Sequence, residues 1–334
     1  VKPRSVSAPG KAVLSGEYAV LGKAPALSVA LDRRAVVRIA KSDDEFHHVA
    51  TPGHADGRWR FTANDAGEIH WLDELPESGL RLIEEAWRVC MPRGDGHLSI
   101  TIDTVDFFAP ESGQKLGLGG SAAAMTALVG ALAAPGTLPR DVGTLATRAH
   151  KALQNGLGSG VDIATSCLGG VIEFRRDARR APQQRPWPHG LRFRFLWSGK
   201  AADTASRIRQ LDSHSGKGWA SLSAAAEAAA TAWKRHNVAE VLEAFDRYTN
   251  TLQQFSIDHD LGIFDAGHDD VRNLATQFGV VYKPCGAGGG DIGIILAGDT
   301  EALDRICDGA EALGFSPLDV SPDARGVVAG GGEY

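Results

Sequence analysis

Cysteine is scarce in this chain of 334 residues: Cys90, Cys167, Cys285 and Cys307 stand far apart and form no CxxC pair. That scatter excludes a zinc ribbon and a disulfide-stapled secreted scaffold, and it suits a reducing cytoplasm. Long apolar runs are missing too; none approaches the ~18 residues a membrane helix needs. The polar start Val1 to Ser7 lacks the apolar core of a signal peptide. A cytoplasmic protein without a membrane partner is expected. Surplus positive charge is also absent, since 35 Lys and Arg face 41 Asp and Glu for a net charge of -6. Such a balance excludes an extended nucleic-acid footprint, which needs clustered cations. One short cluster, Arg175, Arg176, Arg179 and Arg180, reads as a solvated surface turn, or else as a partner-binding patch. The histidines, His150 and His259 among them, show no zinc-ligand spacing and read as structural or exposed. No GxxxxGK[ST] occurs and no GxGxxG follows the first strand, so neither a Walker loop nor a Rossmann fingerprint is present.

What remains is an ordinary globular composition, 43% hydrophobic and 23% charged, in a chain long enough for one large α/β unit or two lobes around a cleft. β-branched runs predict early strands near Val13, over Ala26–Leu31 and over Ala35–Ile39, and another over Leu98–Asp103. Residues 121–134 are alanine-dense and predict a helix, as do 139–154, 220–235 and 238–257. A strand is expected over Leu191–Trp197, and a strand, glycine turn and strand over Val280–Leu296. The proline-rich stretch 175–190 is the best linker, dividing the chain into 1–185 and 186–334.

Four segments carry chemistry. Lys115-Leu-Gly-Leu-Gly-Gly-Ser-Ala places Gly117, Gly119 and Gly120 just before a helix. Glycines let main chain approach a phosphate, and the helix start offers free amides and a positive dipole end. A plain glycine turn capped by Ser121 has the same look. Lys11, in Ala8-Pro-Gly-Lys-Ala-Val-Leu, is either a surface lysine or a cation for a reacting phosphoryl oxygen. Asp162, in Gly158-Ser-Gly-Val-Asp-Ile-Ala, is either a helix N-cap or a carboxylate that accepts a proton or holds Lys11 in line. Lys283-Pro-Cys-Gly-Ala-Gly-Gly-Gly-Asp291 packs more glycine than a hairpin requires, which points to a close approach. Lys283 itself is equally compatible with a solvated lysine before a turn.

Together these segments, APGKAVLSGEYAVL, KLGLGGSAA, GSGVDIATSCLGG and YKPCGAGGGDIGIIL, resemble the motifs of the GHMP kinases in order and spacing. That superfamily covers galactokinase, homoserine kinase, mevalonate kinase and phosphomevalonate kinase. The resemblance implies a two-lobed α+β fold, with an N-terminal lobe like domain 2 of ribosomal protein S5 and a ferredoxin-like C-terminal lobe. It implies ATP and Mg²⁺, with Lys115, Gly117, Leu118, Gly119, Gly120, Ser121 and Ala122 around the triphosphate and Ser121 on the metal. It implies Lys11 and Asp162 at the reacting group, and Glu17, Tyr18, Ser159, Gly160, Lys200, Lys283, Gly286, Ala287, Gly288 and Asp291 near a small anionic acceptor. Asp291 after the glycines, the pair Glu17-Tyr18 and the stretch Leu196–Thr204 look most like phosphomevalonate kinases. The implied acceptor is 5-phosphomevalonate; mevalonate, or a sugar or hydroxy acid, is the alternative. A lyase of the same fold, diphosphomevalonate decarboxylase, and a non-catalytic sensor are the remaining readings. Either a monomer or a homodimer is compatible with the sequence.

Overall fold

Strand β2 (Ala26–Lys41) is long enough to serve two sets of neighbours. Its first half pairs with β7 (Val171–Phe174), its second half with β6 (Leu98–Asp103), and β1 (Arg4–Ser15) runs antiparallel along its other edge. The computed structural model describes residues 3–330 apart from 93–95, 135, 178, 203–206, 208, 210 and 212–215. Beyond β6 lie β3 (His47–Thr51), β4 (Ala55–Ala63) and β5 (Ile69–Trp71), while β8 (Gln183–Arg185) pairs with β7. Among the described strand pairs of this nine-stranded sheet, β3 with β6 is parallel and the others are antiparallel. Val29, Leu31, Val37 and Ile39 alternate inward, and β2 buries them against α2 (Gly120–Leu132), a helix so alanine-rich that it is buried along nearly its whole length. Helices α1 (Arg81–Cys90), α3 (Pro139–Leu153) and α4 (Val161–Leu168) pack around α2.

The chain crosses to a second sheet at β9 (Arg192–Trp197). Helices α5 (Trp219–Arg235) and α6 (Val238–Asp258) follow as a hairpin, with the Asn237 side chain accepting from the Glu240 amide to start α6. Then come α7 (His268–Gln277), β10 (Val281–Pro284), β11 (Ile292–Ala297), α8 (Thr300–Ala312) and β12 (Ser316–Leu318). The strand order β10-β11-β9-β12 with these crossovers is that of a split βαβ, ferredoxin-like sheet. The two-lobed α+β architecture is therefore present. The stretch 175–190 is less of a free linker than its prolines suggest, because Gln183–Arg185 turns back onto β7 as a strand. Residues 203 and 204, part of the stretch expected to open the second lobe, lie outside the described residues.

From Asp319 the chain returns to the first sheet. Arg34 grips this return segment: Nη1 lies 2.5 Å from Asp323 Oδ2, and Nη2 donates to the Gly326 carbonyl at 2.7 Å. Strand β13 (Val328–Gly330) then pairs with β1.

His268, wholly buried at the start of α7, ties the second sheet to its glycine loop. Its Nε2 lies 3.0 Å from the Gly290 carbonyl, which can only accept, so Nδ1 is the acceptor of the Tyr282 hydroxyl at 2.7 Å. Burial pushes this imidazole down to about 4, against the Gly290 contact and with help from Lys283 and Arg207. The unfolded chain takes up this proton near the ordinary histidine value, whereas the folded chain resists it until about 4. Stability is then full above pH ~6.5 and drains as pH falls through the folded value. Urea midpoints measured from pH 7.5 to 4.5 should decline, and His268→Gln, which keeps a donor for Gly290, should make that decline shallower.

Candidate active site

Strand β1 reaches the site at a bulge between Pro9 and Gly10. A Cβ on Gly10 would stand 2.5 Å from the Leu118 carbonyl oxygen, so only glycine allows the strand to touch the loop before α2. The next amide uses that proximity: Lys11 N donates to Leu118 O at 2.8 Å. Lys11 then sends its stem across Gly119 and its ammonium to Asp162, with Nζ–Oδ1 at 3.2 Å. Its side chain is 11% exposed and that of Asp162 31%, so this is a partly sheltered pair at the mouth of the first lobe. Burial by itself would pull the ammonium down; Asp162 outweighs it, with Asp291 and Cys285 adding, and Lys11 is held above the ordinary lysine value.

Asp162 sits in the first turn of α4, which starts after Gly160 in the left-handed region. Ser159 serves this turn, its hydroxyl accepting from the Val161 amide at 3.3 Å. Opposite, α2 starts at Gly119, also left-handed, whose carbonyl accepts from Ala122 and Ala123. The amides of Gly120 and Ser121 find no acceptor among the described residues. Two unspent donors at the positive end of a four-turn helix make an anion cradle. Ser121 is exposed at its rim, its Oγ 3.3 Å from His150 Nε2.

The glycine loop 286–290 closes the arrangement from the second lobe. Gly117 has φ +78, and a Cβ there would meet Asp291 Cβ at 2.3 Å, so Asp291 lies directly on the main chain of the loop before α2. Asp291 is fixed through its backbone to Lys200 O at 2.6 Å and through Oδ1 to the Ala202 amide at 3.0 Å. Burial raises its carboxyl; the Ala202 amide, Lys11, Arg207 and Lys115 oppose that rise. The Lys200 and Lys115 side chains are exposed. The Tyr18 hydroxyl donates to Ala287 O at 2.8 Å, holding this loop from the first lobe, with Gly286 and Gly288 on either side of the contact.

Two expected acceptor contacts are corrected by the geometry. Lys283 and Glu17 are 0% and 2% exposed and are spent on each other, with Nζ–Oε1 at 2.5 Å. Tyr248 donates to the other Glu17 oxygen at 2.8 Å, and Lys283 donates to Pro284 O at 2.6 Å. The pair is a buried strut between lobes and presents no group to a small molecule. Three neighbours were not assigned to the site by the sequence reading: His150, which reads there as structural or exposed, Tyr248 and Arg207. His150 was legible in principle, since it shares the buried register of α3 with Ala146. Burial depresses its basicity, with Asp162 opposing and Lys11 reinforcing, which favours the neutral ring beside Ser121. Arg207, whose guanidinium lies against Gly289 and donates to Leu261 O at 2.9 Å, stands in a stretch without a recognisable motif.

Against known proteins, the GHMP kinases N terminal domain matches residues 81–170. Phosphomevalonate kinase of Streptomyces sp. (strain CL190) is 30% identical, over 96% of this chain and 97% of that protein. The chain belongs to the GHMP kinase family. Solved structures agree with a GHMP kinase fold over nearly the whole chain. A Lin0012 protein from Listeria innocua superposes with TM-score 0.85 at 21% identity, covering 99% of this chain and 100% of that one. Streptococcus pneumoniae phosphomevalonate kinase, in complex with phosphomevalonate and AMPPNP, gives 0.77 at 19% identity, covering 95% and 99%. As a GHMP kinase, the chain brings the glycine-rich start of α2, the Lys11–Asp162 pair and the third glycine loop to one place.

The Glu17–Lys283 strut gives a direct test of lobe coupling. Removing one partner leaves the other charge buried, so Lys283→Met should cost about 3–5 kcal/mol in chemical denaturation. The double variant Glu17→Leu/Lys283→Met should regain much of that; a single-variant loss below about 1 kcal/mol would show the pair to be dispensable.

Proposed function

We propose that this chain transfers the γ-phosphoryl group of ATP to 5-phosphomevalonate, giving 5-diphosphomevalonate and ADP. The observation that carries the reading is the Lys11–Asp162 pair, 3.2 Å apart, facing the uncapped start of α2. In this reading Lys115, Gly117, Leu118, Gly119, Gly120, Ser121 and Ala122 surround the triphosphate. The free amides of Gly120 and Ser121 and the exposed Ser121 hydroxyl fit that role. Among the described residues no cluster of three His, Cys, Asp or Glu could cage a metal. The exposed Ser121 hydroxyl would hold a Mg²⁺ on the protein side, and the ion would supply charge neutralisation. Division of the chain into an ATP-binding part, 1–185, and a second part, 186–334, belongs to the same reading, with β13 lent back to the first sheet.

The acceptor is a phosphate monoester, whose second ionisation lies near ~6. At neutral pH its attacking oxygen has already lost its proton, so no base is required. Asp162 then acts by holding Lys11, and Lys11 draws the two anionic reactants into line. As the acceptor oxygen bonds to the γ-phosphorus, the bridge oxygen to ADP takes the electron pair of the breaking bond. Ser159, Gly160, Gly286, Ala287, Gly288 and Asp291 border the acceptor space, with Tyr18 bracing the loop through Ala287. Cations at Lys115, Lys200 and Arg207 suit an acceptor bearing a carboxylate and a phosphate.

Phosphorus NMR of the product made from ATP and 5-phosphomevalonate should show a new diphosphate signal; ADP formation from mevalonate alone would overturn the assignment. Lys11→Met should lower kcat by about 10²–10³. Asp162→Asn should slow transfer by about 10² through misplacement of Lys11. It should leave the acid limb of the kcat/KM profile near pH ~6, because that limb belongs to the acceptor phosphate. Loss of this limb in Asp162→Asn would make the carboxylate a base and favour a hydroxyl acceptor.

A further inference from the structure

A surface cavity of about 480 Å³ is lined by residues of β7, β8 and α5 together with Arg175, Arg179, Arg180 and Ala181. Its walls carry five cations, Arg175, Arg179, Arg180, Arg185 and Lys234, and one carboxylate, Glu173. Glu173 is 8% exposed and already saturated: Arg185 Nη2 lies 2.8 Å from it, Lys234 Nζ 3.0 Å and Arg175 Nη2 3.7 Å. Arg175 is in addition matched by Glu227 through two contacts of 2.5 and 2.7 Å.

A purely structural network would be complete at this point. Arg179 and Arg180 nevertheless line the same cavity, and neither is paired with Glu173, its one carboxylate. Arg180 reaches Asp177 only at 3.9 Å, from a side chain 64% exposed, and Arg179 bonds to Asp177 Oδ1 through its backbone amide, at 3.0 Å. Crowding like charges is unfavourable unless solvent or an anion intervenes. Four of the five are guanidinium groups, whose planar forks match phosphate oxygens in pairs. The overall negative charge and the small extent of the cluster exclude a nucleic-acid backbone as its occupant.

We propose that this cavity is a second anion site, built for the diphosphate group of a small molecule and separate from the cradle at α2. Its position gives occupancy a mechanical consequence. β7 leaves the Gly169-Gly170 turn that ends α4, the helix bearing Asp162. Phe174, next to Glu173, packs on Val13, Val20, Ala26 and Val161 beneath the start of that helix. Lys234 and Glu227 belong to α5, so an anion held here cross-links the first sheet to the helical hairpin of the second lobe. The proposal does not depend on the identity of the acceptor.

Calorimetric titration with inorganic diphosphate locates the site through two variants. In Arg179→Ala/Arg180→Ala, whose side chains support no core packing, affinity should fall about tenfold or more, with the thermal midpoint of the free protein unchanged. In Lys11→Met/Ser121→Ala the same binding event should persist. The opposite pattern, loss in the second variant and retention in the first, would assign the anion to the α2 cradle and overturn the proposal. Equal affinity for sulfate would reduce the cavity to unspecific charge and overturn it as well. Arg185→Gln, which leaves Glu173 with Lys234 and Arg175, supplies an independent reduction in affinity if the site is as described.

Discussion

Everything at the candidate site hangs on how closely main chain can approach main chain. Lys11 N reaches Leu118 O at 2.8 Å because Gly10 has no Cβ to hold the strand away from the loop. That bond fixes the glycine loop before α2 relative to β1, and through β1 it fixes Lys11 relative to the start of α2. The same device recurs from the other lobe, where Asp291 rests on Gly117. The glycines lower the stability of the loops they occupy, and the loss is offset by the buried α2 and the continuous core around it. Glycine-rich loops here are a means of bringing charges together: one cation from a strand, one carboxylate from a short helix and another from a turn.

The lobes are joined by more than the cleft. Glu17, Tyr248 and Lys283 form a buried ionic knot, and Tyr18 reaches Ala287 from the adjoining position. Such a knot contributes little net stability over an apolar replacement. Its value lies in direction, since only one approach of the lobes satisfies both charges and the phenol. Positioning at the ångström scale is what a phosphoryl-transfer site requires, because there the protein supplies alignment and charge rather than covalent chemistry.

Much of this was legible in the residues. The alternation in Leu98–Asp103, the alanine-rich helices and the turn residues gave elements within a residue or two of their observed ends. The site loops were legible because glycine clusters next to helix starts have a direct chemical meaning. The missed features have the opposite character. Glu17 and Lys283 are 266 residues apart, and nothing local distinguishes a lysine destined for burial from one destined for solvent. Strand β13 is three residues ending in glycine, too short for any alternation to show. Gln183–Arg185 is polar on both faces and becomes a strand only because β7 offers it an edge.

The return of residues 319–330 to the first sheet shapes how the molecule is assembled. The edge of β1 that receives β13 stays unpaired until nearly the whole described chain has been made, although its other edge pairs with β2, its neighbour in sequence. During synthesis the first sheet therefore carries an open flank, and the Arg34 guanidinium beside it lacks Asp323. The half-buried polar residues of β1 near that flank, Arg4, Ser5 and Ser7, are the kind of polar edge that resists pairing with other chains while it waits. Closing a loop that spans both lobes makes completion of the N-terminal sheet a late event, and it binds the fate of the glycine loop before α2 to the arrival of the opposite end of the polypeptide.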